Sequence, residues 1–235
     1  MQIDAFNTTT ENAVEEDRVG KKLLVSGVYQ GTIKLAYLES VGTAGSKKLI
    51  VLLDIEDTEV KDSEIVLNSS GTNLCKDGKK LLPGFLKMNA MCVCATGAEL
   101  GKQAFEEKDI EIWENREKKV AKRMVAVTLL GKQVLVGIQN AICSTSQKQG
   151  DAWVNTDKTY TTNLVDKYFG LNGKTHKEIV TNAEPTYIDT WKEKFEGREG
   201  INKVPANVKP YIANTPAGNL SSNGKPANSI FSKKS

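Results

Sequence analysis

Cations and aromatic rings recur together in three stretches of this chain. Tyr29, Lys34 and Tyr37 come first, followed by Lys47 and Lys48. Trp113, Arg116, Lys118, Lys119, Lys122 and Arg123 form a second group around Glu114 and Glu117. Trp153, Lys158, Tyr160 and Lys167 form a third. Lysine and arginine neutralise phosphates, and the counterions released make such binding weaken as salt rises. Flat rings stack on bases, at ~1–3 kcal/mol per base. Single-stranded nucleic acid asks both of a protein, so these side chains are the expected binding residues.

Catalytic chemistry has thinner support. A Ser–His–Asp or Cys–His arrangement must use His176, which sits in a polar helix start beside lysines. The phosphate-cradling patterns G-x-x-x-x-G-K-[ST] and G-x-G-x-x-G are absent. Gly131-Lys132 lacks the glycine loop that would make it a phosphate site. Cys75, Cys92, Cys94 and Cys143 do not form ligand pairs such as C-x2-C, so reduced structural thiols are expected. Asp54 with Glu56, and Glu106 with Glu107, have no Gly-rich or His context. No enzyme activity, metal or cofactor is expected; a divalent-metal nuclease using Asp54 and Glu56 ranks last of three readings.

The elements that must position the rings and cations are mostly strands. Ile33, Leu35 and Tyr37 alternate with Thr32, Lys34 and Ala36, the period of a strand. Gly42 to Lys48 reads as a flexible turn. Leu49, Val51, Leu53 and Ile55 fill one face of the next strand, and Ile50 and Leu52 fill the other, so it is central. Glu64 to Ser69 is a third strand, Asn68 to Gly71 a turn, and Asp77-Gly78 a hairpin turn flanked by short strands. Pro83 opens a helix with Phe85, Met88, Cys92 and Ala95 on one face, and Gly97 ends it. Strands over 109–113, 120–127 and 132–143 surround the charged turn 114–119. Gly137 predicts a bend or bulge. Residues 144–151 read as a polar loop and 153–169 as an extended ribbon. Thr175 with Glu178 predicts a capping box. Thr186 to Glu196 carries Tyr187, Trp191 and Phe195 as one stripe, expected to dock on the sheet.

The ends differ in charge. The first residues carry Asp4, Glu11, Glu15, Glu16 and Asp17 against Arg18. From Gly197 on, Gly, Pro, Asn, Ser and Lys dominate, with Arg198, Lys203, Lys209, Lys225, Lys233 and Lys234 against Glu199. That composition buries too little apolar area to offset the entropy of ordering. No apolar run reaches the ~18–20 residues of a membrane helix, and no secretory leader is visible at the N-terminus. A soluble cytoplasmic protein is expected.

Three stretches carry a resemblance: SGVYQGTIKLAYLES (26–40), KDGKKLLPGFLKMNAMCVCATGAEL (76–100) and VTLLGKQVLVGI (127–138). In this order and spacing they resemble the replicative single-stranded DNA-binding proteins of tailed bacteriophages, over about residues 20–195. The resemblance implies an oligonucleotide-binding (OB) barrel that coats single strands in replication, recombination and repair inside the infected bacterial host. It implies phage polymerase, helicase-primase or nuclease as protein partners, with Tyr29, Lys34 and Tyr37 touching DNA and Pro83 and the glycines structural. The chain departs from the acidic, aromatic-ended tail of many such proteins, because Phe231 is surrounded by Lys225, Lys233 and Lys234.

The expected fold is mainly β (α+β): an OB-like five-stranded barrel with a helix between strands, an extended β-ribbon, C-terminal helices and a disordered tail. Its parts are an acidic flexible arm (1–20), an OB-like single-stranded DNA-binding domain (21–197) and a basic tail (198–235). A homo-oligomer is left open. The alternative is a phage structural or assembly protein that docks a partner through its C-terminal helix and tail.

Overall fold

The computed structural model describes residues 23–43, 45–114, 117–150 and 152–205. The acidic arm, Arg116 and the tail beyond 205 lie outside the described residues. The fold is mainly β. Its elements are β1 (Gly27–Val41), β2 (Ser46–Ile55), β3 (Thr58–Leu67), α1 (Pro83–Thr96), β4 (Phe105–Glu114), β5 (Glu117–Ala126), β6 (Gln133–Gln149), β7 (Ala152–Phe169), α2 (His176–Val180), α3 (Tyr187–Phe195) and β8 (Ile201–Asn202). Short 3-10 turns lie at Leu100–Lys102 and Val127–Leu129. The chain divides into two compact units. The first contains 23–143 and 161–203. The second contains the ribbon 144–160, formed by the far parts of β6 and β7, and residues 204–205.

β1 is the trunk of the sheet. Along one edge it pairs with β2 from Thr32 to Val41. Along the other it pairs first with β6 (Gly27↔Ile138 to Thr32↔Gln133) and then with β5 (Tyr37↔Val125, Leu38↔Met124). The exchange of partners coincides with a bulge at Lys34, where the β1–β2 register slips between Ile33 and Leu35. A bulge adds one residue and bends the strand. It also overturns the simple alternation expected for β1. Ile33 and Ala36 face the main core, whereas Leu35 and Tyr37 face a second apolar cluster with Ile50, Leu52, Ile110, Ile112 and Val125. The β4–β5 hairpin thus covers the outer face of β1 and β2, which explains why Ile50 and Leu52 are apolar.

The bend was expected at Gly137, but the β1–β6 register runs through that glycine without interruption. Its missing side chain serves packing instead. A Cβ there would meet the Trp191 indole at 3.0 Å. Trp191 is 1 % exposed, donates from Nε1 to Asp166 Oδ2 at 2.7 Å and packs against Phe195. Trp191 of the α3 stripe therefore docks within the fold, as expected, whereas Tyr187 is 45 % exposed.

The main core gathers Leu49, Val51, Leu53 and Ile55 of β2, Val60 and Val66 of β3, Met88, Met91 and Cys92 of α1, Val134, Val136 and Ile138 of β6, and Val165 and Tyr168 of β7. α1 begins at Pro83 and ends at Gly97, whose φ of 75° is the left-handed conformation glycine tolerates. Among the described residues β3 pairs only with β2, and β7 only with β6. Side chains join these two edges: Tyr168 Oη donates to Asp62 Oδ2 at 2.7 Å.

Several boundaries move. Among the described residues there are eight strands, joined in one sheet. β3 starts at Thr58 because Glu56 and Asp57 make a two-residue turn with φ of 48° and 60°, a conformation usually given to Asn-Gly or Gly-rich pairs. Around Asp77-Gly78 there is only a single bridge, Leu74↔Leu81, in place of flanking strands. Residues 144–149 are strand rather than loop. Their partners are polar on both faces, as in Ser146 Oγ donating to Asn155 Oδ1 at 2.8 Å. The C-terminal boundary shifts from 197 to about 203. Ser26 N donates to Arg198 O, Gly200 N to Asn140 Oδ1, and β8 lies parallel to β6. No helix among the described residues is long and apolar enough to cross a membrane.

Candidate nucleic-acid interface

A groove of about 640 Å3 lies between the β1–β2 hairpin and the β4–β5 hairpin. Tyr37, Lys47, Lys48, Trp113, Lys122 and Arg123 line it, residues far apart in the sequence that were each expected to bind nucleic acid. The β1–β2 register explains how the first three meet. Glu39 pairs with Lys48 and Ser40 with Lys47, so the end of the hairpin carries its lysines beside Tyr37. The β4–β5 register sets Trp113 opposite Lys118 and Ile112 opposite Lys119 at the tip of the second hairpin.

Five cations line the groove against two carboxylates, Glu39 and Glu107. Glu39 holds Lys48 at 2.6 Å, and Glu107 lies 3.9 Å from Lys122. Lys47 donates to the Ser40 hydroxyl at 2.7 Å. Among the described residues no carboxylate pairs with Lys47 or Lys61. Arg123 gives one nitrogen to the Lys122 carbonyl at 2.9 Å, and its Nε is buried without a partner among the described residues. Positive charge thus exceeds what the walls neutralise, which leaves the groove electropositive.

The rings divide. Trp113 is 69 % exposed, with Lys118 Nζ 5.8 Å from its ring centroid. Lys118 also lies 3.9 Å from Glu111. So large an apolar surface left in water fits a stacking platform. Tyr37 is 5 % exposed and belongs to the second core cluster, so its ring is packed rather than presented. Burial raises its hydroxyl pKa, Glu39 raises it further and Arg123 opposes. Tyr37 therefore lines the groove wall without offering a free ring face, because the bulge at Lys34 turns its ring toward β4 and β5.

Tyr29 and Lys34 lie elsewhere on β1. Tyr29 Oη donates to the Val25 carbonyl at 2.8 Å, and the ring packs against the main core. Lys34 pairs with Asp54 at 3.1 Å. Asp54 Oδ2 is thereby engaged while Oδ1 is buried with no partner among the described residues, Glu56 sits in the β2–β3 turn, and no group of metal-binding side chains occurs among the described residues. Trp153, placed by its backbone in β7, Lys158 and Tyr160 belong to the ribbon unit. Tyr160 is half exposed.

Lys61 and Met124 line the groove without having been singled out. Lys61 was invisible because β3 was expected to begin after it. The alternation Val60, Asp62 inward and Lys61 outward was the signal available. No protein-family model matches this chain, and comparison with curated proteins finds no match.

Proposed function

We propose that this protein binds single-stranded DNA along the groove between its two hairpins, without strong sequence preference. The observation that carries the reading is the meeting of Lys47, Lys61 and Arg123 with the exposed Trp113 in one groove. A bent first strand with exchanged partners and a helix after the third strand support an OB-like reading of the fold. Coating of single strands in phage replication, recombination and repair, with polymerase, helicase-primase or nuclease as partners, is proposed on the three resembling stretches. The groove is too rich in flexible lysine to read bases by itself, so stacking and phosphate contacts dominate.

The test is a titration with a labelled thymidine oligomer and the matching duplex at two salt concentrations. Tighter, salt-sensitive binding of the single strand, with quenching that Trp113→Phe removes, is the expected result. Equal or absent binding at low salt would reject the proposal.

A further inference from the structure

A second cavity, of about 540 Å3, lies where β3 and β7 face each other without main-chain pairing. Lys61 and Asp62 of β3, Lys87 of α1, Gln139 of β6, Asp166 of β7 and Lys203 all line it. Its carboxylates are engaged. Asp62 accepts from Lys87 at 2.9 Å and from Tyr168 at 2.7 Å, and Asp166 accepts from Trp191 at 2.7 Å.

Gln139 differs. It is 1 % exposed, and neither its amide nitrogen nor its amide oxygen has a hydrogen-bond partner among the described residues. Leaving both halves of a buried amide unpaired works against folding. A leucine would fill similar space without that cost, so the unpaired amide is free to meet a ligand.

The chemistry of the amide narrows that use. It offers a donor beside an acceptor, the arrangement with which Gln meets the N6 and N7 positions of adenine. The cavity has the size of a small-ligand site. Lys61, Lys87 and Lys203 balance Asp62, Glu64 and Asp166 around it, so it suits an uncharged flat group better than an ion. Lys61 then decides between a base and other amide-like groups, because it lines both this cavity and the basic groove. A strand whose phosphates follow the groove to Lys61 arrives at the cavity with a base.

We propose that this cavity receives one nucleobase of the bound single strand and that Gln139 hydrogen-bonds its edge; the inference rests on the groove reading above. The amide is closed off from solvent in this structure, so entry requires a rotation of the Gln139 side chain.

Two measurements test this. The first follows the Gln139 side-chain amide by nuclear magnetic resonance as the full chain is titrated with adenosine 5′-monophosphate and then with a deoxyadenosine oligomer. The second compares the native protein and Gln139→Leu for affinity to deoxyadenosine, deoxycytidine and thymidine oligomers of one length. The amide signal is expected to move. The native protein is expected to favour the deoxyadenosine oligomer by about tenfold, and Gln139→Leu to lose that preference. Its salt slope and Trp113-dependent quenching should remain. An unmoved amide together with normal quenching overturns the base pocket and leaves the groove standing. An amide that moves with the mononucleotide, in a protein that binds no oligomer, upholds the pocket and rejects the groove. No response in either measurement overturns both.

Discussion

Trp113 and Trp191 both sit among lysines and acidic residues, yet the molecule uses them in opposite ways. Trp191 is closed between Gly137, Phe195 and Asp166, with its N–H satisfied. Trp113 stands at a hairpin tip with most of its ring in solvent. The difference lies in what the surrounding backbone supplies. A glycine on β6 opens a seat for one indole, and a strand pair with no cover leaves the other bare. An aromatic residue among cations is therefore a binding residue only where nothing in the fold has claimed it.

Substitution separates the two most sharply at Trp191. Trp191→Ala is expected to lose about 3–5 kcal/mol of stability in denaturant unfolding. Trp113→Ala should stay within about 0.5 kcal/mol, as exposed positions do. Equal losses would break the contrast. Gly137→Ala pushes a methyl against the indole and should cost ~1–3 kcal/mol. Trp191→Phe in the same chain should recover part of that cost, and a double-mutant cycle in thermal unfolding reads the coupling. On the exposed side, Trp113→Ala should weaken single-strand binding by ~1–3 kcal/mol, measured by titration. Replacing Lys47 and Lys61 together by Gln should lower the slope of log affinity against log salt by about 1.4, the worth of two single-strand phosphate contacts.

The smallest effect concerns Glu178, which fixes the α2–α3 corner that seats Trp191. Burial works against its charge, but N–H donors from Thr175, Tyr187 and Thr186 prevail and hold its pKa at about 2. A carboxylate held below its unfolded value contributes stability above the unfolded pKa and loses it as pH falls toward the folded one. Thermal unfolding from pH 5 to pH 2 should therefore show a decline that Glu178→Gln flattens.

Local chemistry was legible in the sequence, and long-range chemistry was not. The capping box at Thr175 and Glu178, the Pro83 start and Gly97 stop of α1, and the two-sided burial of β2 each follow from residues close together. The bulge at Lys34 depends on β1 exchanging β6 for β5, which no short window contains. The strand at 144–149 was hidden because its side chains are polar on both faces, leaving no apolar alternation to read. The turn at Glu56-Asp57 lacks the glycine that usually marks such a conformation. Lys47, Lys48 and Lys122 of the groove were found from composition, but Lys61 and the burial of Tyr37 required the long-range pairing that brings β3 and the second hairpin to β1.

The partner exchange along β1 also orders events on the ribosome. β2 follows β1 at once, whereas the strip that completes its first half ends at Ile138, and Ser26 finds Arg198 and Gly197 only near the end of the described chain. Until then the first half of β1 is a bare edge, open to the same edge on another nascent chain. Translation products released before residue 133 should therefore pellet on centrifugation, and those released after residue 203 should stay in solution.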